Sequence, residues 1–257
     1  LEALARADTV VLDKTGTLTR GKPTLVRVLP FGLSQEEALR LAAALERGSE
    51  HPLAKAVLEA AESLPQAQAE EVRALPGEGV EGRVEGRRLH LGGPALMERL
   101  GVPLPEEAKA LPEEGYTPLY LVEGTRLLAA FAVFDPPRPE AQEAVAALKA
   151  LGLKLVLLTG DHPAPARRVA EALVIPEVHA GVRPEGKVEA IRRLQAEGRK
   201  VVFVGDGIND AAALAQADVG LAMGSGTDIA LEAGDVVLLT PDLRGVVNAV
   251  RLARRTL

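Results

Sequence analysis

The amino-acid sequence predicts an α/β fold: a doubly wound parallel sheet with a smaller α+β domain inserted into it. From Pro137 onward, helix-like segments alternate with short apolar runs, a pattern typical of a parallel sheet covered by helices on both faces. The middle of the chain instead contains alternating, glycine-rich segments that indicate antiparallel strands. A chain of 257 residues, of which 47% are apolar, is long enough to build both cores.

The first strand is the apolar run Thr9–Leu12, which leads into Asp13. Two crossings rich in proline and glycine, Gly21–Pro23 and Asp135–Pro137, bracket the inserted domain. We therefore expect residues 1–22 and 135–257 to form one domain and residues 23–134 the other, with the crossings as a hinge.

Inside the insertion, Ser34–Glu37 forms a capping-box pattern that opens a helix, and Pro52 starts a second helix. The alternation over Val72–Leu91 predicts antiparallel strands. Gly124-Thr125, between two apolar pairs, predicts a hairpin turn.

The elements after the second crossing follow in a regular order. Helices are predicted at Arg138–Leu151, Pro163–Leu173, Pro184–Glu197, Asn209–Ala215, Asp228–Ala233 and from Leu243 onward. Strands are predicted at Leu153–Leu158, Val201–Val204, Val219–Ala222 and Val236–Leu239.

Composition excludes several classes of protein. The net charge of −6 and the scattered basic residues argue against a nucleic-acid partner. Because cysteine is absent, disulfides and thiolate metal sites are excluded, and any metal must be held by oxygen or imidazole. The sequence has no apolar run of about 18 residues and no basic-then-apolar N-terminal segment, so it predicts neither a membrane span nor a signal peptide.

The most informative motif follows the first strand and is Asp13-Lys14-Thr15-Gly16-Thr17-Leu18-Thr19. An aspartate is ionised at neutral pH and can attack a phosphate, which divides phosphoryl transfer into two steps through an acyl phosphate. The seven residues resemble the phosphorylation signature of the P-type ion-pumping ATPases.

Polar groups end three of the predicted strands: Asp13, Thr159-Gly160-Asp161 and Asp206-Gly207. Asp and Gly are also ordinary turn residues, but three such endings at the edge where open parallel sheets bind ligands favour a phosphate site. Asp13, Asp206 and Asp210 would repel one another there unless a divalent cation bridged them to phosphate. Magnesium suits oxygen ligands of this kind.

Lys187 lies near the start of the helix predicted at Pro184–Glu197, where the helix dipole disfavours a cation unless an anion is close. A phosphoryl group would supply that anion, whereas the alternative is an ordinary surface lysine. Thr159 and neighbouring backbone N–H groups would hold the phosphate oxygens.

Two later segments, Val204–Asp210 and Ala217–Asp228, resemble the hinge motif of the same pumps. The motifs follow the order found in the haloacid-dehalogenase-like superfamily, and the resemblance to P-type ATPases covers essentially the whole chain. It implies catalytic roles for Asp13, Lys14, Thr15, Thr159, Gly160, Asp161, Lys187 and Asn209. It implies magnesium ligands at Asp13, Asp206, Asp210 and the backbone carbonyl of Thr15.

Thr15 stands two residues after Asp13, where related phosphatases usually carry a second aspartate as general acid and base. Without that base, water attacks an aspartyl phosphate slowly. The resemblance therefore implies a lasting phosphorylated intermediate, which a pump needs and a phosphatase does not.

The inserted domain contains Ser49-Glu50-His51-Pro52, which resembles a motif of the heavy-metal pumps, and Gly77-Glu78-Gly79, which resembles their Gly-x-Gly. The resemblance implies that ATP is bound by Glu46, His51, Gly77, Gly79, Val80 and Gly92. Glu46 and His51 would meet the adenine, and the glycines would let the base and ribose approach the backbone. A histidine before proline is otherwise most often a helix-start residue. Gly93 and Ala212 depart from the subgroup, which usually carries Asn and Pro there.

The resemblance implies the ATP-binding and autophosphorylating cytoplasmic unit of a heavy-metal P-type ATPase, in which Asp13 receives the γ-phosphate of ATP with Mg²⁺. Three segments favour copper(I) over zinc or cadmium as the exported ion: Gly21–Pro23, Ser49–Pro52 and Leu243–Val247. The expected partners are ATP and the membrane helices and actuator domain of the same pump, joined at Leu1–Ala7 and Leu252–Leu257. The unit itself would be a soluble monomer that turns over slowly.

Three alternatives stay open: a zinc- or cadmium-type pump unit, a stand-alone haloacid-dehalogenase-like phosphatase, and a module that senses ATP without phosphorylating itself. Steady hydrolysis of small phosphate esters that depends on Asp13 would favour the phosphatase. A lack of hydroxylamine-sensitive phosphate on the intact parent pump would favour the sensing module.

Overall fold

The structure is a computed structural model that describes residues 2–207, 209–223, 237–240 and 242–256. In chain order the strands are β1 (Thr9–Asp13), β2 (Thr24–Pro30), β3 (Ala69–Leu75), β4 (Gly79–Val84), β5 (Arg87–Gly92), β6 (Thr117–Glu123), β7 (Arg126–Phe134), β8 (Lys154–Leu158), β9 (Glu177–His179), β10 (Val201–Asp206), β11 (Val219–Met223) and β12 (Val237–Thr240). The helices are α1 (Glu2–Ala5), α2 (Gln35–Glu46), α3 (Pro52–Ala60), α4 (Pro94–Leu100), α5 (Glu106–Lys109), α6 (Ala141–Ala150), α7 (Pro163–Leu173), α8 (Pro184–Ala196), α9 (Ala211–Gln216) and α10 (Leu243–Arg255).

The chain divides into two compact units. The first consists of Leu1–Gly21 and Pro136–Leu257, and the second of Lys22–Asp135. Among the helices in the described ranges, none combines the length and the apolar character that crossing a bilayer demands.

The first unit is built on a six-stranded sheet in the order β12-β11-β10-β1-β8-β9. Every neighbouring pair of strands is parallel. All residues of β1 and β11 are buried, as expected for apolar strands covered on both faces. This arrangement brings the carboxyl ends of β1, β8 and β10 to one edge of the sheet, since β1 lies between the other two.

Helices α7 and α8 begin at the predicted residues, Pro163 and Pro184, because proline in the first turn has a suitable φ and no N–H to leave unpaired.

Helix α6 begins later than the predicted Arg138. The backbone N–H of Arg138 donates to the carbonyl of Leu18 (2.7 Å) and its guanidinium donates to the carbonyl of Gly16 (2.8 Å). These bonds hold Arg138 against the loop after β1, so it is not available to start the helix.

Two further elements of the first unit were not matched between sequence and structure: one strand was not predicted, and one predicted helix is not described. The pattern does not predict β9, since Glu177–His179 is only three residues long and two of them are polar. The helix predicted at Asp228–Ala233 lies outside the described residues.

The second unit contains an antiparallel six-stranded sheet in the order β2-β7-β6-β5-β4-β3. Strands β3, β4 and β5 account for the alternation over Val72–Leu91, and Gly124-Thr125 connects β6 to β7 as predicted. The Ser34 hydroxyl caps α2 by accepting from the N–H of Glu37 (3.1 Å). One apolar cluster joins α2 and α3 to the sheet, and a second cluster contains α4 and α5 residues. The predicted α/β fold with a smaller α+β unit is confirmed.

Candidate active site

A pocket of ≈ 500 Å³ opens in the first unit at the carboxyl edge of the parallel sheet. We call it the phosphate pocket; it is lined by Asp13, Thr15, Gly16, Arg20, Gly21, Thr159, Gly160, Asp161, Lys187, Asp206 and Asn209. Of the residues predicted for catalysis and magnesium binding, only Lys14 and Asp210 are missing from this lining, and both are buried. The structure therefore brings the predicted residues of this site together.

Asp13 is the last residue of β1, and only 8% of its side chain is exposed. Burial raises the pKa of Asp13 to about 8, and the hydrogen bond and charge of Asp210 act in the same direction. Lys187 acts in the opposite direction but does not cancel them. The pocket floor is consequently short of positive charge.

Lys187 lies in the first turn of α8 and bridges the two buried carboxylates. Its Nζ is 3.3 Å from Oδ1 of Asp13 and 3.1 Å from Oδ1 of Asp210. Burial lowers the pKa of Lys187, but the charges of Asp13 and Asp210 outweigh it and raise the pKa above the ordinary value. The anion expected beside this helix start is thus supplied by the protein itself.

Asp210 also organises the loop that follows β10. Its Oδ2 accepts from the backbone N–H of Asp206 (3.1 Å), and its own N–H donates to the carbonyl of Asp206 (3.0 Å). Gly205 is required here, because a Cβ at that position would lie 2.6 Å from Oδ2 of Asp210 and from the ring of Phe203. The tight packing fixes Asp206 and Asp210 at the sheet edge.

The segment after β8 forms the opposite wall. The N–H of Asp161 donates to the hydroxyl of the buried Thr159 (3.1 Å), and Oδ2 of Asp161 lies 2.7 Å from Nζ of Lys14. The Lys14 side chain is 3% exposed, so its ammonium is enclosed and paired. Lys14 therefore ties the loop after β1 to the segment after β8.

The oxygen donors of the phosphate pocket suit a magnesium ion that is bound by only a few protein ligands. Asp13 and Asp210 share one ammonium, and Asp206 and Thr15 line the same pocket. In the described part of the chain, no group of three or more His, Asp or Glu side chains is arranged to hold a metal ion. The oxygen donors and the excess negative charge suit a cation that uses one or two carboxylates and keeps several waters, which is usual for magnesium.

A second pocket of ≈ 660 Å³ lies in the inserted unit. We call it the nucleotide pocket; its lining includes Glu46, His51, Gly77, Gly79 and Val80 among the predicted residues. Burial raises the pKa of Glu46. Nδ1 of His51 accepts from the N–H of Leu53 (3.2 Å) at the start of α3, so His51 is at once a helix-start residue and a pocket residue.

Gly79 and Gly92 are explained by the packing of the protein itself. A Cβ on Gly79 would fall on the carbonyl oxygen of Leu91 and lie 2.7 Å from Cα of Gly92, and a Cβ on Gly92 would fall on the carbonyl oxygen of Glu78. Gly92 does not line the nucleotide pocket, whereas Gly93 does. Of the three predicted glycines, only Gly77, with a φ of +75° and open space around it, has room left for a ligand.

Several lining residues were not among the predicted site residues. Arg20, Gly16 and Gly21 join the phosphate pocket, and Glu78, Pro94 and Thr117 join the nucleotide pocket. Arg20 and Glu78 lie next to or within recognised motifs, so the flanking positions of those motifs offered a signal. Thr117 comes from a distant strand, and only the tertiary fold brings it to the site.

The chain belongs to the haloacid dehalogenase-like hydrolase family, whose model matches residues 7–218. Copper-transporting ATPase 1 of Rhizobium meliloti is 45% identical over 263 residues, which cover 100% of this chain and 32% of that protein. The copper-exporting P-type ATPase B of Archaeoglobus fulgidus is 43% identical over 249 residues, which cover 96% of this chain and 36% of that protein. The chain thus spans about a third of the length of these curated relatives.

Solved structures agree with this similarity. A zinc-transporting PIB-type ATPase in the E2.Pi state matches with a TM-score of 0.90 and 42% identity, covering 99% of this chain and 42% of that one. The catalytic domain of the CPx-ATPase CopB-B, from a study of nucleotide binding, matches with a TM-score of 0.70 and 29% identity, covering 98% and 92%. The predicted resemblance to heavy-metal P-type ATPases is confirmed.

Proposed function

We propose that this chain binds ATP with Mg²⁺ and transfers the γ-phosphate to Asp13, as the ATP-binding and phosphorylation unit of a heavy-metal-exporting P-type ATPase. The observation that carries the proposal is the Asp13 carboxylate, which lines an open pocket and has Lys187 3.3 Å away. The similarity to copper-transporting ATPases over the whole chain supports it.

The chemistry follows from the surroundings of Asp13. An Asp13 oxygen attacks the γ-phosphorus and forms an acyl phosphate, while the bond from the γ-phosphorus to the bridging oxygen breaks and ADP leaves with that electron pair. Asp13 must be ionised to attack, yet its pKa is raised to about 8. Lys187 favours the ionised form, and a magnesium ion held by Asp13, Asp210, Asp206 or the Thr15 carbonyl would supply further positive charge when bound.

The remaining lining residues have supporting roles. The Thr159 hydroxyl and the N–H groups of Gly160 and Asn209 would bind phosphate oxygens. Thr15 lacks the carboxylate that would activate water, so the acyl phosphate persists. Lys14 keeps the loop in place through Asp161.

The nucleotide pocket would hold the adenosine part of ATP. Its apolar lining, which includes Leu45, Val80 and Leu119, suits a purine ring. Glu46 and His51 add polar groups that would form hydrogen bonds with the edge of the base. Hydrolysis of the phosphoenzyme and ion transport would require the membrane helices and actuator domain of the full pump.

Copper(I) is the proposed exported ion, because the curated relatives named above are a copper-transporting ATPase and a copper-exporting P-type ATPase. A zinc-type pump is the second candidate, since a zinc-transporting ATPase is 42% identical with a TM-score of 0.90. Transport assays of the full-length protein with each ion decide between them.

Labelling with ATP tests the phosphorylation proposal. The chain is incubated with Mg²⁺ and [γ-³²P]ATP, quenched in acid, and treated with hydroxylamine, which cleaves acyl phosphates. We expect hydroxylamine-sensitive label on the wild type, none on Asp13→Asn, and an unchanged level on Glu36→Gln, an exposed helix residue of the other unit.

The other outcomes separate the alternatives. Rapid release of inorganic phosphate from small esters, abolished by Asp13→Asn, would replace the pump proposal with a phosphatase. ATP binding with no acid-stable label on either the chain or the full-length protein would leave a nucleotide-sensing module.

A further inference from the structure

Arg20 follows the seven-residue signature and lines the phosphate pocket. Neither the motifs nor the proposed function gives this residue a role. Its side chain is exposed, while its neighbour Thr19 is fully buried. A basic side chain at this position needs explaining, because the other cations of the site are already engaged.

The backbone that carries Arg20 is held in place through the preceding residue, Thr19. The Thr19 hydroxyl donates to the carbonyl of Lys14 (3.2 Å) and accepts from the N–H of Gly16 (3.4 Å), and the Thr19 N–H donates to the same Lys14 carbonyl (3.0 Å). Thr19 also forms an antiparallel bridge with Pro137. Arg20 therefore extends from a closed loop whose position is fixed relative to Asp13.

The charges of the site leave Arg20 available. Lys187 is shared between Asp13 and Asp210, and Lys14 is paired with Asp161. Within the part of the chain that the structure describes, Arg20 makes no ion pair and donates no side-chain hydrogen bond. An unpaired guanidinium on the lining of a pocket suited to phosphate is a natural anion ligand.

We propose that Arg20 is a second phosphate-binding cation, whose guanidinium donates to oxygens of the phosphoryl group bound at Asp13. This inference rests on the proposed phosphoryl transfer to Asp13. Lys187 supplies charge at the attacking carboxylate. Arg20 supplies two parallel N–H donors in one plane from the solvent side of the pocket. Arg20 thus raises affinity for the phosphoryl group without taking part in nucleotide-base recognition.

The test uses beryllium trifluoride, a phosphoryl mimic, titrated into the 257-residue chain with Mg²⁺ and followed by calorimetry. Loss of a charge-assisted hydrogen bond predicts about tenfold weaker binding for Arg20→Gln and a smaller loss for Arg20→Lys. Arg251→Gln is the matched control, because it removes the same charge from an exposed position on α10 that does not line the pocket. Affinity for ADP, measured on the same samples, should stay unchanged in Arg20→Gln.

Two results would overturn the inference alone: equal affinity of Arg20→Gln and wild type for the mimic, or a loss of ADP affinity as large as the loss for the mimic. A wild type that neither binds the mimic nor accepts label from ATP would overturn the phosphoryl-transfer proposal and this inference with it. A wild type that accepts label while Arg20→Gln binds the mimic normally would overturn only the role of Arg20.

Discussion

Asp13 meets two opposing demands, since it must be an anion to attack phosphate and yet lies in surroundings that favour its protonated form. Burial is the main reason its pKa is raised to about 8, and the nearby Asp210 adds to the effect. Lys187 is the compensating group within reach of both carboxylates. The nucleophile is therefore poised so that arrival of positive charge makes it reactive.

The raised pKa of Asp13 predicts a pH dependence of folding stability. The folded chain holds a proton on Asp13 up to a pH of about 8, whereas the unfolded chain releases it near the ordinary aspartate pKa of 3.8. By linkage, the stability that protonated Asp13 contributes is complete below the unfolded pKa and is lost as pH rises through the folded one. The metal-free wild type should thus lose stability relative to Asp13→Asn between pH 5 and 8, by roughly 1–3 kcal/mol.

Urea unfolding with EDTA at pH 5 and pH 8 measures this difference for both proteins. Added Mg²⁺ should reduce it at pH 8, because a bound cation stabilises the charged carboxylate. An equal stability gap between the two proteins at both pH values would contradict the assignment of the raised pKa to Asp13.

At this level, sequence reasoning found residues in contiguous motifs and missed what the fold assembles. The signature from Asp13 to Thr19 needs no tertiary information to be recognised. The contact between Lys187 and Asp13 joins residues 174 positions apart. The sequence therefore predicted a phosphoryl group, and not Asp13, as the anion beside Lys187. The pairing of Lys14 with Asp161 could not be predicted, because it depends on the parallel register of β1 and β8.

The strands of the inserted unit give the glycines a structural reason that motif comparison did not supply. Gly79 begins β4 and Gly92 ends β5, and these two residues are paired in the register of the strands. A side chain on Gly79 would displace the backbone of β5, while Gly77 lies in open space with a φ of +75°.

Alanine substitutions separate these two roles. Gly79→Ala should lower the free energy of unfolding of the inserted unit by about 3 kcal/mol or more, because backbone must shift. Gly77→Ala should cost only about 1–2 kcal/mol from the positive φ. Urea unfolding followed by circular dichroism measures both, and similar losses for the two variants would refute the packing explanation of Gly79.

Element boundaries were predictable where the local chemistry sets them. Pro163, Pro184 and the Ser34 cap fix helix starts through their own backbone and side chain. Helix α4 carries Pro94 at its start and Gly101, with a φ of +69°, at its end, so its signals were present though it was not predicted. The start of α6 depends instead on Arg138 binding a distant loop, which no local pattern reveals.

The two ends of the inserted unit lie side by side. The two points at which the first unit is interrupted also lie side by side. In the inserted unit, Thr24 of β2 lies opposite Phe134 of β7, and the N–H of Lys22 donates to Asp135 (3.2 Å). In the first unit, Thr19 bridges to Pro137. An insertion whose two ends are adjacent can be removed or isolated without breaking the strand order of either sheet.

Excision of the inserted unit therefore separates the two halves of the proposed reaction. Residues 1–21 joined to 136–257 through a short glycine linker should fold and bind beryllium trifluoride with Mg²⁺, since the phosphate pocket lies wholly within that unit. Labelling from ATP should fall at least about 100-fold, because the γ-phosphate is no longer held near Asp13 by a bound nucleotide. Residues 22–135 alone should bind ATP, because the nucleotide pocket lies wholly within them, and Glu46→Gln should weaken that binding. Undiminished labelling of the excised chain would mean that the nucleotide pocket is not the source of the phosphate that reaches Asp13.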